Sequence, residues 1–200
     1  PNKMQQSFIK NLEKLREQDN RGLLISATGT GKTFAAAFGM KSIAAKKVLF
    51  IVHREQIARQ ALETFKLIFG HSRSYGLLTG QNKNTEADFI FGTIQTISKQ
   101  EVYQSFSKTY FDEIIIDEVH RAGAESYLRV MDYFKPTFYL GMTASPDRTD
   151  SFNIYELFNN NIVYEVRLKE AMENDLLCPF HYFGISDLEI DGQPIDELSD

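Results

Sequence analysis

The sequence predicts an α/β fold, a mainly parallel sheet sandwiched by helices, and two observations carry that prediction. Short, wholly apolar runs at residues 23–25, 48–52 and 114–116 alternate with longer segments of helical periodicity. Strands apolar on both faces belong in a sheet covered on both sides. The second observation is placement: glycine-rich and acidic segments follow the apolar runs directly. Parallel sheets hold their ligands at these carboxyl ends of the strands.

Each element follows from spacing. Met4, Phe8, Ile9, Leu12 and Leu15 recur every three or four residues and predict an amphipathic helix. Residues 23–25 predict a short buried strand, then a glycine turn, then an alanine-rich helix over 33–45. After the strand at 48–52, Ile57, Ala58, Ala61, Leu62, Phe65 and Ile68 form the next helical stripe. Residues 75–78 and 89–92 are shorter strand candidates, and 114–116 the third strongly buried strand. Tyr127, Val130, Met131 and Phe134 repeat at helical spacing before a strand at 138–142. Past Ser151 the expected order is a helix at 152–158, an extended run at 162–166, a helix at 168–177 stopped by Pro179, and an extended run at 180–190.

Two hundred residues suit one large domain. With 42% apolar and 24% charged residues, the chain has the balance of a protein with a real core. A net charge of −5 excludes a compact, highly basic nucleic-acid module, though not a local basic groove. Cys178 is the single cysteine, so no intramolecular disulfide forms, and the four histidines are too scattered for zinc. No apolar run approaches the ~18 residues of a membrane helix and no signal-peptide layout is present, so a cytoplasmic protein is expected.

Ala27-Thr28-Gly29-Thr30-Gly31-Lys32-Thr33 lies between a strand and a helix. Glycines let consecutive backbone N–H groups curl around an anion, and the helix N-terminus adds partial positive charge. Lys32 is placed to reach β- and γ-phosphates, and the Thr33 hydroxyl to ligate Mg2+. The general pattern has Gly where Ser26 stands, a small residue that meets the same steric need. Asp117-Glu118-Val119-His120 ends the 114–116 strand. Adjacent buried acids repel without a cation. Asp117 therefore suits Mg2+ binding, and Glu118 suits orienting and deprotonating an attacking water.

In their order along the chain these motifs resemble superfamily 2 helicases of the DEAD/DEAH-like group, whose first motor domain is a RecA-like P-loop NTPase domain. Residues 27–33 look like motif I and 117–120 like motif II. Gly141-Met142-Thr143-Ala144-Ser145-Pro146 looks like motif III, Val52-His53-Arg54-Glu55-Gln56 like motif Ia, and Gly92-Thr93-Ile94-Gln95-Thr96 like the segment after it. The likeness spans roughly residues 4–148 and is nearest in look to bacterial DNA helicases and restriction-enzyme translocase subunits.

That resemblance implies ATP and Mg2+ bound by Thr28, Gly29, Thr30, Gly31, Lys32 and Thr33 with Asp117, and Glu118 catalytic beside Lys32 and Asp117. It implies coupling through His120, Thr143 and Ser145, with His120 hydrogen-bonded between motifs II and III. Gln5 resembles the adenine-reading glutamine, with Asn2 where relatives carry arginine and Gln6 as its rival. Arg54, Thr93 and Gln95 follow strands, where they could meet a phosphodiester backbone; for Arg54 a salt bridge to a neighbouring acid is the other reading. Backbone contacts carry no sequence information, which suits a motor that steps along any sequence.

Residues 1–166 are expected to form the RecA-like domain, and 167–200 a tail or connection toward a second RecA-like domain that these residues do not contain. DNA is the expected track. RNA, or a non-catalytic nucleotide-dependent binding module, are the alternatives. A metabolite kinase would use Lys32, Thr33 and Asp117 but leaves Glu118, His120 and residues 143–146 unexplained. Asp187, Glu189, Asp191 and Gly192 mimic the start of a calcium loop whose twelfth position is Leu198 rather than Glu, and Cys178 reads as a packed thiol.

Overall fold

In the computed structural model, residues 1–145, 153–166, 189–190 and 193–194 are described. Seven strands form one sheet in the order β3-β4-β2-β5-β6-β1-β7. They are β1 (Arg21–Ser26), β2 (Val48–Val52), β3 (Tyr75–Leu78), β4 (Phe89–Thr93), β5 (Glu113–Ile116), β6 (Phe138–Thr143) and β7 (Ile162–Val166). Every neighbouring pair in this sheet is parallel. A two-stranded antiparallel ladder joins β8 (Glu189–Ile190) to β9 (Gln193–Pro194).

The apolar runs are explained by two cores, one on each face. Along β2, Val48, Phe50 and Val52 enter one core while Leu49 and Ile51 enter the other, and β5 divides Ile115 from Ile114 and Ile116 in the same way. Helices α1 (Lys3–Arg16), α2 (Lys32–Ser42) and α3 (Glu55–Phe69) cover the first face. On the second lie α4 (Ile94–Ile97), α5 (Gln100–Tyr103), α6 (Glu125–Tyr133) and α7 (Ile154–Leu157).

Aromatic rings concentrate on the β2–β4 side. Phe65 of α3 meets Phe50, Phe89 and Phe91 edge-on, with ring centroids 5.7, 5.9 and 5.2 Å away. On β6, a Cβ on Gly141 would stand 2.7 Å from Phe158 and 2.8 Å from Leu23, so any larger residue there forces these side chains to shift.

Three local differences separate sequence and structure. Helix α2 stops at Ser42 rather than Ala45, because Ala44 takes a left-handed conformation (φ 54°) and the Ala45 N–H returns to the Met40 carbonyl. The turns α4 and α5 have four residues each, too few to leave a periodic signal. The helix expected at 152–158 spans only Ile154–Leu157 among the described residues, capped by the Asn153 side chain. The expected helix at 168–177 lies outside the described residues, as do Pro146, Cys178 and most of the calcium-like segment.

Candidate functional site

Strand register gathers the motifs at one edge of the sheet. Ile25 lies opposite Thr143, Ile116 opposite Gly141 and Ile51, and Val52 opposite Thr93. All seven strands of this sheet run the same way, so the segments leaving β1, β5, β6, β2 and β4 emerge side by side. A cavity of about 620 Å³ opens there. Its walls are Thr28, Gly29, Gly31, Lys32 and Thr33 from the glycine loop, Asp117, Glu118, His120 and Arg121 after β5, and Thr143, Ala144 and Ser145 at the end of β6. Phe34, Ile57, Gln60 and Thr64 complete it from α2 and α3.

The loop owes its curl to Gly29 and Gly31, both at φ 86°, a left-handed conformation that disfavours a side chain. Thr30 is buried, and its hydroxyl donates to the Ala27 carbonyl at 2.7 Å and lies 2.5 Å from the Ser26 hydroxyl. Ser26 therefore does more than stay small: it cross-links the loop. The Lys32 ammonium donates to the carbonyls of Ser26 (2.8 Å) and Ala27 (3.1 Å), across the mouth of the loop. Burial pulls Lys32 below its ordinary range while Asp117 and Glu118 push it back up.

Asp117 and Glu118 differ in surroundings although adjacent. Asp117 is pushed above the usual carboxylate range by burial, against the Glu118 N–H and Lys32, with the Glu118 charge adding to the rise. Its Oδ1 accepts the Glu118 N–H at 3.0 Å. Glu118 is 42% exposed, sits 3.5 Å from Arg121 and holds a left-handed backbone (φ 51°, ψ 45°). Among the described residues no three His, Cys, Asp or Glu form a metal cage.

His120 Nδ1 lies 3.2 Å from the Thr143 hydroxyl, so the segments after β5 and β6 are joined directly. The Thr143 hydroxyl also accepts the Ser145 N–H at 3.2 Å. Gln5 is 7% exposed, and a Cβ on Gly31 would lie 3.2 Å from its Nε2, which places this side chain against the loop. Its Oε1 accepts the Asn2 N–H in a capping box, and Gln6 is exposed and donates to the Pro1 carbonyl. Asn2 caps α1, its side chain accepting the Gln5 N–H at 2.9 Å.

The three candidate nucleic-acid residues part company. Arg54 is exposed at the start of α3 and makes no ion pair among the described residues. Gln95 is exposed and lies 3.1 Å from His53 Nδ1, tying the ends of β4 and β2 together. Thr93 is a correction to the surface reading: it is 7% exposed and its hydroxyl donates to Thr96 at 3.1 Å. Its side chain braces the turn from within.

Sequence reasoning did not single out Phe34, Gln60, Thr64 or Arg121. A signal existed for α3, since positions 57, 60 and 64 share one helical face; the turn carrying Arg121 is too short to show one.

An all-parallel sheet with a glycine loop after β1 and an acid pair after β5 has the make-up of a RecA-like P-loop NTPase domain. The chain belongs to the family described as Type III restriction enzyme, res subunit, whose model matches residues 1–148. It is 29% identical to a Type I restriction enzyme EcoAI endonuclease subunit of Escherichia coli, covering 94% of this chain and 24% of that protein. It is 26% identical to the DNA 3'-5' translocase XPB2 of Sulfurisphaera tokodaii, covering 76% and 34%. The chain thus spans about a quarter to a third of these relatives.

Two solved structures share the fold. One is a nuclease-deletion mutant of the Type ISP restriction-modification enzyme LlaGI in complex with a DNA substrate mimic, at TM-score 0.68 and 20% identity, covering 88% of this chain and 20% of that one. The other is the UvsW helicase from bacteriophage T4, at TM-score 0.64 and 22% identity, covering 80% and 59%.

Proposed function

We propose that this chain is the ATP-binding first motor domain of a DNA helicase or translocase, coupling ATP hydrolysis to movement on nucleic acid. The observation that carries the reading is that Lys32, Thr33, Asp117 and Glu118 line one cavity at the carboxyl edge of the sheet. Residues 1–166 make up the domain, and 167–200 lead toward a second RecA-like domain of the parent chain.

The donor set fits Mg2+ delivered with ATP. This ion keeps several waters and takes one or two protein oxygens plus substrate phosphates, so a full protein cage is not needed. Asp117, half-buried and with its pKa raised by desolvation, is a carboxylate in want of a cation, and Thr33 adds a hydroxyl in the same cavity. The ion, when bound with ATP, neutralises phosphate charge.

The chain's own groups do the rest. Loop N–H groups and Lys32 hold the phosphates once the ammonium exchanges the Ser26 and Ala27 carbonyls for phosphate oxygens. Glu118 takes the proton of the attacking water. The His120–Thr143 contact passes the state of the acid segment to the end of β6, and Arg54 and Gln95, farther along the same edge, meet the nucleic-acid backbone. DNA rather than RNA is supported by the translocase and the restriction enzymes among the similar proteins.

Turnover needs arginines from the second domain. Without them the rate falls by roughly 10³–10⁵, about 4–7 kcal/mol in barrier. The test is steady-state hydrolysis with and without DNA. The full-length protein should show DNA-stimulated turnover and the 200-residue chain almost none. Robust DNA-stimulated turnover by the 200 residues alone contradicts this division of labour.

A further inference from the structure

Apart from His120, the charged groups lining the cavity are two cations, Lys32 and Arg121, and two carboxylates, Asp117 and Glu118. The two cations are held very differently. The Lys32 ammonium donates to two main-chain carbonyls, at 2.8 and 3.1 Å, and is tied to the loop. Arg121 is 44% exposed, and among the described residues its ion pair is one contact of 3.5 Å, from Nε to Glu118 Oε2. That is longer than an ordinary hydrogen bond.

The contact is not what shapes the turn that carries it. The Arg121 N–H donates to the Glu118 carbonyl at 3.0 Å and the Ala122 N–H to the Val119 carbonyl at 2.8 Å. The backbone therefore closes the turn by itself, and an ion pair this exposed adds little stability. What the pair does is park a guanidinium inside the cavity. Its planar fork of five N–H donors matches phosphate oxygens in shape and in sign, and binds them two at a time.

Charge and position both point to the terminal phosphate. Lys32 and Arg121 balance Asp117 and Glu118, whereas Mg2+ offsets only part of the charge that a triphosphate brings. Glu118 addresses the water at the γ-phosphorus, and Arg121 reaches that same carboxylate from three residues along the turn.

We propose that Arg121 binds the γ-phosphate of ATP, exchanging its contact with Glu118 for phosphate oxygens when the nucleotide enters. The inference rests on the ATP-binding reading above. A diphosphate has no oxygen at that place, so with ADP the guanidinium stays on Glu118. Arg121 thus distinguishes ATP from ADP within the first motor domain. Its departure also leaves the Glu118 carboxylate to the attacking water.

The experiment measures affinity for a non-hydrolysable ATP analogue and for ADP, each with Mg2+ at physiological salt, together with Tm. It uses full-length wild type, Arg121→Ala, Arg121→Gln, Lys32→Ala and Arg129→Ala. Arg129 is the control for loss of one positive charge, since it pairs with Glu125 on α6 and does not line the cavity. Arg121→Ala should weaken the ATP analogue about tenfold, the scale of one hydrogen bond between charged partners. ADP should stay within about twofold, and Tm should hold. Arg129→Ala should leave both affinities within about twofold.

An unchanged ratio of the two affinities in Arg121→Ala overturns the proposal, as does an equal weakening of both nucleotides. The same shift in Arg129→Ala overturns it too, because the effect is then one of net charge. If Arg121→Ala lowers Tm, the same ratio in Arg121→Gln, which keeps the side-chain stem, decides. Lys32→Ala separates this inference from the reading beneath it. Wild-type affinity for both nucleotides in that variant sinks the ATP-binding reading, and the role of Arg121 with it. Loss of both there, with the ratio intact in Arg121→Ala, overturns the role of Arg121 alone.

Discussion

Glu113 opens strand β5 and Asp117 follows its last residue, and the two acids differ in what surrounds them. At the amino end Glu113 is 1% exposed, 2.7 Å from Arg16 at the close of α1, with its second oxygen unpartnered. At the carboxyl end Asp117 faces Lys32, beside Glu118, and opens on a cavity of about 620 Å³ lined by hydroxyls and loop backbone. Burial raises the pKa of both acids, so a raised pKa alone does not mark a site. The mark is convergence: several strand ends, a curled loop and an open volume aimed at one place.

If the two ends are as different as this, substitutions should sort by end. The largest effect is expected at the open one. Glu118→Gln in the full-length protein should lower kcat by roughly 10²–10⁴ while nucleotide binding and Tm hold, read by steady-state hydrolysis and calorimetry. An equal loss of stability would make the open end structural.

Next comes Arg16→Ala, which strands the Glu113 carboxylate. It should cost about 3 kcal/mol in denaturant unfolding and leave nucleotide affinity unchanged. A matching loss of affinity would erase the distinction.

The sealed end should also respond to pH. Burial outweighs Arg16 and lifts Glu113 from an ordinary 4.5 to about 7. The folded state therefore binds this proton more tightly than the unfolded chain. The stability it contributes is complete below about pH 4.5 and is lost as pH rises toward 7. Relative to Glu113→Gln, the wild type should lose up to roughly 3 kcal/mol between those limits. Parallel stability curves for the two proteins would mean that the pair stays charged throughout.

The smallest effect concerns the far side of the same edge. Arg54→Ala should weaken DNA binding about equally on all sequences and reduce the slope of log affinity against log salt by about 1. Sequence-selective loss would point to a base contact instead.

Much of this molecule was legible in its residues, for reasons that can be named. Strand β2 coincides with the expected run because both faces of a covered sheet demand apolar side chains, which leaves an unbroken signal. Residues 27–33 and 117–120 were legible because their chemistry needs fixed residue types at fixed spacing.

Other features had no local trace. Strand order depends on which runs pair, and nothing in β7 says that it lies against β1. The left-handed turn at Glu118 is imposed on a residue type that carries no turn signal. Thr93 looked exposed because it ends a strand, yet its hydroxyl turns inward to Thr96. Tyr127 read as one more member of a helical stripe, and only the packed structure shows its oxygen without a partner.

The central claim is tested most directly by nucleotide binding to this 200-residue chain, followed with a fluorescent ATP analogue with Mg2+ or with chelator, for wild type, Lys32→Ala and Arg16→Ala. The account predicts Mg2+-dependent binding that Lys32→Ala abolishes and Arg16→Ala leaves intact. Binding that survives Lys32→Ala unchanged would contradict it.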